Sequence, residues 1–297
     1  MLSGFAICDV RNGYGVRLVY LQGKAAVVGA YILEIQDLGE LSGDIVVFGG
    51  VYSNLQALQA FVGWFEDARI PSENCICTGD IVAYCANPAE VTQLMIDREI
   101  TSIAGNCEKQ LATGAEDCGC GFDEGTVCDL ASKGWFPFAK AKTAQFQGFY
   151  AGLPDVIKFS AFGKVYVVIH GGITDISRFL WPVSEAGEFK AEIRVLEDIL
   201  GPIDGIIAGH SGIAFEREIN GKSWINAGVI GMPPHDGRAK TRFAVLSETG
   251  VRFHHLEYDA KAAAEAMKGA GLVQGYERSL SNGVWPSEDI LPQPLRR

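Results

Sequence analysis

Five short apolar runs, each cut off by glycine, constrain this chain more than any other feature. They are "DIVVFGG" from Asp44, "NCICTGD" from Asn74, "ITSIAGN" from Ile100, "KVYVVIHGG" from Lys164 and "GIIAGHSG" from Gly205. Runs of this length, continuously apolar and rich in β-branched residues, are strands buried on both faces of a sheet. Helical patterns lie between them. Ser53 or Asn54 can cap "LQALQAFVGWFEDA", in which Leu55, Leu58, Val62 and Phe65 repeat at helical spacing. Asn87 and Pro88 open "AEVTQLMIDRE" as N-cap and N1, and "AEIRVLEDIL" precedes the fifth run. Strands alternating with helices pair in parallel through right-handed crossovers, so their ends fall along one edge. The later runs "SWINAGVIG", "TRFAVLS" and "GVRFHHLEY" follow one another through turns and predict an antiparallel second half. Two sheets facing each other give an α/β fold, a four-layer α/β/β/α sandwich of two mixed sheets.

The remaining segments break this rhythm. Residues 1–36 alternate weakly and are read as an N-terminal extension with at most a short hairpin, whose deletion is expected to leave folding intact. Residues 37–260 form the main domain, with a Cys- and Gly-rich insertion at 107–160, and 261–297 form a C-terminal arm. A net charge of -11 speaks against a polynucleotide partner, because nucleic-acid binders present a basic face. The apolar stretch "AAVVGAYILEI" is too short to span a membrane and lacks the flanks of a secretory signal. The chain reads as soluble and cytoplasmic, and nothing in it fixes an oligomeric state. In that compartment its eight cysteines are expected to be reduced, with Cys107 the most accessible of the insertion's thiols. Cys118, Cys120 and Cys128 fit no metal spacing well, and a soft-metal site, a reversible disulfide and plain buried thiols all stay open.

Residues just past aligned strand ends converge on one crevice. That edge collects Tyr52, Asp80, Asn106, Cys107, His170 and His210. One carboxylate, one amide oxygen and two imidazoles form a mixed N/O donor set suited to Mn, Zn or Fe.

At this point the sequence resembles the calcineurin-like metallophosphoesterases, in the bacterial YfcE and retromer-subunit branch. That family carries in order an Asp-x-His, a Gly-Asp, a Gly-Asn-His-Asp/Glu, a strand-end His and a Gly-His-x-His, which hold two metals. Here "YSNLQAL" is similar to the branch's "HGNLxAL", "TGDIVAYCANP" to "GDIVGYGPDP", and "WINAGVIGMPPHDGRAKTRFAVL" to "NPGSVGxPRDGDPRASYAVL". The resemblance spans roughly residues 44–250. It implies a phosphoesterase working on a small phosphorylated substrate. The departures are systematic: the Asp-x-His falls on Gly50-Val51-Tyr52, and the second histidine of the last motif falls on Gly212. In the family these three positions serve one metal. Asp80, Asn106, His170 and His210 match the set that serves the other, so the resemblance implies one divalent transition metal (Mn, Zn or Fe) held by those four. Cys107 replaces the family's histidine as a thiolate ligand, a weak acid or a space-filler. Tyr84 stands one residue out of register with the metal-bound tyrosine of purple acid phosphatases. The segment resembling the family's active-site border offers Arg238 to grip phosphate and His235 to protonate a leaving group, with a solvated loop as the alternative for both. Against hydrolysis stands a binding or scaffold protein using the same fold without turnover, as the retromer subunit resembles an enzyme with an incomplete site.

Overall fold

The computed structural model describes residues 20–21, 25–28 and 31–297. The chain runs through β1 (Tyr20–Leu21), β2 (Ala25–Val28), β3 (Tyr31–Glu40), β4 (Ile45–Phe48), α1 (Leu55–Asp67), β5 (Cys75–Cys77), α2 (Pro88–Asp97) and β6 (Thr101–Ser102). It continues through α3 (Asn106–Thr113), α4 (Val127–Thr143), α5 (Gln147–Ala151), β7 (Val156–Ala161), β8 (Lys164–Val168), α6 (Ala186–Leu200) and β9 (Gly205–Ala208). Then come β10 (Phe215–Ile219), β11 (Lys222–Asn226), β12 (Thr241–Ser247), β13 (Gly250–Leu256), α7 (Ala260–Gly269) and α8 (Tyr276–Asn282).

Alternation along the strands makes the layers. On β4, Ile45 and Val47 point into a core shared with Phe159 of β7 and Ile207 of β9, while Val46 and Phe48 point into a core shared with Phe61 of α1. The first core lies between two sheets, of order β1-β2-β3-β7-β8-β9-β11-β10 and β13-β12-β4-β5-β6. On the far face of the larger sheet, Val167, Ile206 and Trp224 pack on Phe189, Ile193 and Leu196 of α6. The result is the four-layer α/β/β/α sandwich of two mixed sheets. Both expected helix starts hold. Asn54 Oδ1 accepts from Ala57 N at 3.1 Å, and Pro88 occupies the first position of α2, where its missing N–H costs nothing.

Three expectations are corrected. The late strands do not form a separate antiparallel half: β11 pairs with β9 in parallel and with β10 antiparallel in the larger sheet, whereas β12 pairs with β4 in the smaller one. The boundary at residue 36 falls inside β3, which pairs in parallel with β7 through Ile35 and Val156. Residues 1–19 lie outside the described residues. Among the described residues the insertion is largely helical, α3 to α5, and its far end at residue 160 lies within β7. No helix of the described residues is long and apolar enough to cross a membrane.

Candidate metal centre

The donor residues follow β5, β6, β8 and β9, and two of them have unusual backbones. Asp80 (φ 56°) and His210 (φ 57°) sit in the left-handed region, which non-glycine residues enter at a cost of order 1–3 kcal/mol. Glu108 holds the first of these. Its Oε2 accepts from Asp80 N and Gly105 N, both at 2.8 Å, and its Oε1 accepts from Val82 N at 3.1 Å. Gly105 itself has no room for a side chain, since a Cβ there would lie 2.4 Å from Asp80 Oδ1 and 2.9 Å from His170 Cε1.

On this frame four acceptor atoms close on one point. His170 Nδ1 lies 2.6 Å from the carbonyl of Thr78, which can only accept, so Nδ1 carries the proton. In the neutral ring Nε2 then presents a lone pair. Facing it are Asn106 Oδ1 at 3.0 Å, His210 Nδ1 at 3.1 Å and Asp80 Oδ2 at 3.3 Å. Asn106 is oriented by its amide nitrogen, which donates to the carbonyl of Cys118 at 2.9 Å. Burial, then the neighbouring His170, hold His210 down to about 3, so it too offers a lone pair. Asp80 is ionised: burial opposes its charge, but His170 outweighs that and keeps its pKa below the usual value. Its Oδ1 is buried and has no hydrogen-bond partner among the described residues. With His170 neutral and His210 protonated on Nε2, all four atoms are acceptors, and a divalent cation would satisfy them together. Ligands about 2.1 Å from one ion stand roughly 3.0–3.4 Å apart at octahedral or tetrahedral angles, which the distances match. Asp80, His170 and His210 form the one His/Cys/Asp/Glu group with metal-holding geometry among the described residues.

The remaining expected site residues sit differently. Cys107 is next to the cluster but buried, 1% exposed, and burial followed by Asp80 and Glu108 pushes its thiol well above the ordinary value. It is not accessible, and its surroundings favour the neutral thiol. Cys118 and Cys120 are joined by a disulfide, which corrects the expectation of reduced thiols, while Cys128 is free. His235 is not brought to the cluster. Its Nε2 lies 2.7 Å from Glu288 Oε1 and its Nδ1 accepts from Trp285 N at 2.8 Å, so both ring nitrogens hold the C-terminal arm. Arg238 is exposed and does not line the cavity above the donors.

Gly50 and Gly212 stand where the family resemblance expects ligands of a second metal. A Cβ on Gly50 would lie 2.4 Å from Cζ of Tyr52, whose ring therefore takes the space of any side chain there. A Cβ on Gly212 would lie 3.6 Å from the Trp285 ring, an ordinary contact, at a φ of 74° that favours glycine. Phe179, whose ring centroid is 4.3 Å from that of His210, and Trp285 are site residues that carried no sequence signal, since both lie in segments without periodicity. Glu108 did carry one: an acidic residue three positions past Gly105 can accept from that N-cap N–H, as it does at 2.8 Å.

Comparison with known proteins agrees with this architecture. No family model matches the chain. An uncharacterized protein of Methanocaldococcus jannaschii is 27% identical over 240 residues, covering 74% of this chain and 90% of that protein. The crystal structure of a hypothetical protein from Pyrococcus horikoshii superposes with a TM-score of 0.66 at 17% identity, over 81% of this chain and 98% of that one. A metallophosphoesterase from Sphaerobacter thermophilus superposes with a TM-score of 0.61 at 19% identity, over 82% of this chain and all of that one (100%). With its layers, strand order and strand-end donors in place, the chain has the metallophosphoesterase fold.

Proposed function

We propose that the protein is a metal-dependent phosphoesterase with a single-metal centre formed by Asp80, Asn106, His170 and His210. The observation that carries this reading is the convergence of Asn106 Oδ1, His210 Nδ1 and Asp80 Oδ2 within 3.3 Å of His170 Nε2, a spacing that fits ligands around one ion. Mn, Zn or Fe suits such a mixed donor set. When bound, the ion supplies a Lewis acid for a phosphoryl oxygen and lowers the pKa of water. The protein's part is to hold and orient. Thr78 fixes the His170 tautomer, Cys118 fixes the Asn106 amide and Glu108 fixes the Asp80 backbone. Outer partners of this kind govern metal affinity in other sites. The leaving-group role expected of His235 and the phosphate grip expected of Arg238 find no support in this geometry, and Cys107 fits best as packing beside Asp80.

Hydrolysis of bis(4-nitrophenyl) phosphate by the Mn-loaded protein tests the reading. Turnover is expected, with a loss of about a hundredfold or more in His170→Ala. Equal rates in the two proteins would overturn it. A second reading, a binding protein without turnover, is favoured by the absence of Lys and Arg among the described residues lining the cavity. It predicts metal uptake with no hydrolysis by the wild type.

A further inference from the structure

Asp80 and His210 of the donor cluster form the floor of a cavity whose walls are largely aromatic. Tyr52, Tyr84, Phe122, Phe179, Tyr276 and Trp285 line it, and among the described residues its charged lining is limited to the acidic Asp80 beside His210. Phe179 stacks on Trp181 with centroids 5.4 Å apart and planes 2° from parallel, and lies nearly parallel to Phe122 at 6.4 Å. Trp285 is fixed at both ends. Its indole N–H donates to the carbonyl of Pro233 at 2.7 Å and its backbone N–H to His235 at 2.8 Å. These half-buried rings are therefore held in place before any ligand arrives. Burial keeps the phenols of Tyr52, Tyr84 and Tyr276 neutral, so they add no charge to the lining.

Such walls discriminate by charge and by shape. A ligand of high negative charge would leave water for a cavity with no Lys or Arg, beside a carboxylate, in a chain of net charge -11. One negative charge can be met by one metal ion at the donors. A flat π-system gains offset or edge contacts with the fixed rings, which an alkyl group or a sugar lacks. We propose that the cavity selects a singly charged phosphodiester bearing a planar aromatic substituent, and discriminates against alkyl phosphates and multiply charged sugar or polyol phosphates. The proposal rests on the metal-centre reading for the placement of the phosphate, while the selectivity belongs to the walls.

Calorimetric titration of the full chain, metal-free and Mn-loaded, separates the two. Diphenyl phosphate, dimethyl phosphate and glycerol 2-phosphate are the probes. The first two carry the same charge and differ in their rings, and the third carries more charge and no ring. Diphenyl phosphate is expected to bind about tenfold or more tightly than either of the others. Phe179→Leu should shrink that preference to about threefold or less, and Phe179→Tyr should restore it. Dimethyl phosphate binding as tightly as diphenyl phosphate, or glycerol 2-phosphate binding tightest, would overturn the proposal even if metal binding and hydrolysis held. A preference for diphenyl phosphate that is the same with and without Mn would sustain the selectivity and count against the metal-centre reading alone.

Discussion

Gly50 and Tyr52 are a coupled pair: the tyrosine ring lies where a Cβ at residue 50 would be, and Gly50 itself has a φ of 29°. Gly50→Asp should therefore destabilise by about 2–3 kcal/mol through overpacking and backbone strain. The midpoint of thermal melting would record this as a drop of several degrees. In the double variant with Tyr52→Ala the loss should be smaller than the sum of the single losses, because the collision is shared. His170 gives a pH signature. Burial alone would lower its pKa, but the carboxylates of Asp80 and Glu108 and the Thr78 carbonyl outweigh it, and the net direction is upward. A metal must displace the proton from Nε2, so affinity should fall as pH drops through that raised pKa, by about tenfold per pH unit once the imidazolium dominates. Above the pKa it should level off. Calorimetric Zn titrations across pH measure this, and an affinity that does not change with pH would remove His170 from the ligand set.

Strands and helices were readable where the signal is local, as in the apolar runs closed by glycine and the helix starts at Asn54 and Pro88. Strand β3 was not. "YILEIQDLGE" mixes apolar and acidic residues, and its partner β7 lies more than a hundred residues further on, so pairing rather than propensity makes it a strand. Ile35 packs against the core under α6, and Leu41 N donates to Ser160 O at 2.8 Å just past the strand. A chain beginning at residue 42 would strip β7 of this partner. Its melting midpoint should fall by more than about 8 °C, or roughly 2 kcal/mol for a domain of this size. An unchanged midpoint would show β3 to be dispensable. The C-terminal arm makes a similar point. His235 looked like an acid because of where it falls in the sequence, yet its ring bonds to Trp285 and Glu288. His235→Ala should make the arm after residue 283 markedly more sensitive to limited proteolysis. Intact resistance would mean that the arm is held by its other contacts.

At the scale of the molecule, two sheets bring four strand-end turns from distant parts of the chain to one place. That convergence was legible because each donor stands beside a glycine at the end of an apolar run, as Asp80 follows Gly79 and His210 follows Gly209. The cavity's walls were not, because Phe122, Phe179 and Trp285 come from loops and a tail whose contacts no local pattern encodes. The same assembly limits the site. The Tyr52 ring takes up the space of a side chain at Gly50, and we propose that the four donors hold a single ion. Elemental analysis of the purified protein after metal loading and extensive dialysis tests this most directly. One transition-metal ion per chain is predicted, lost in Asp80→Ala and in His210→Ala and kept in Tyr52→Ala; two ions per chain, or none, would contradict it.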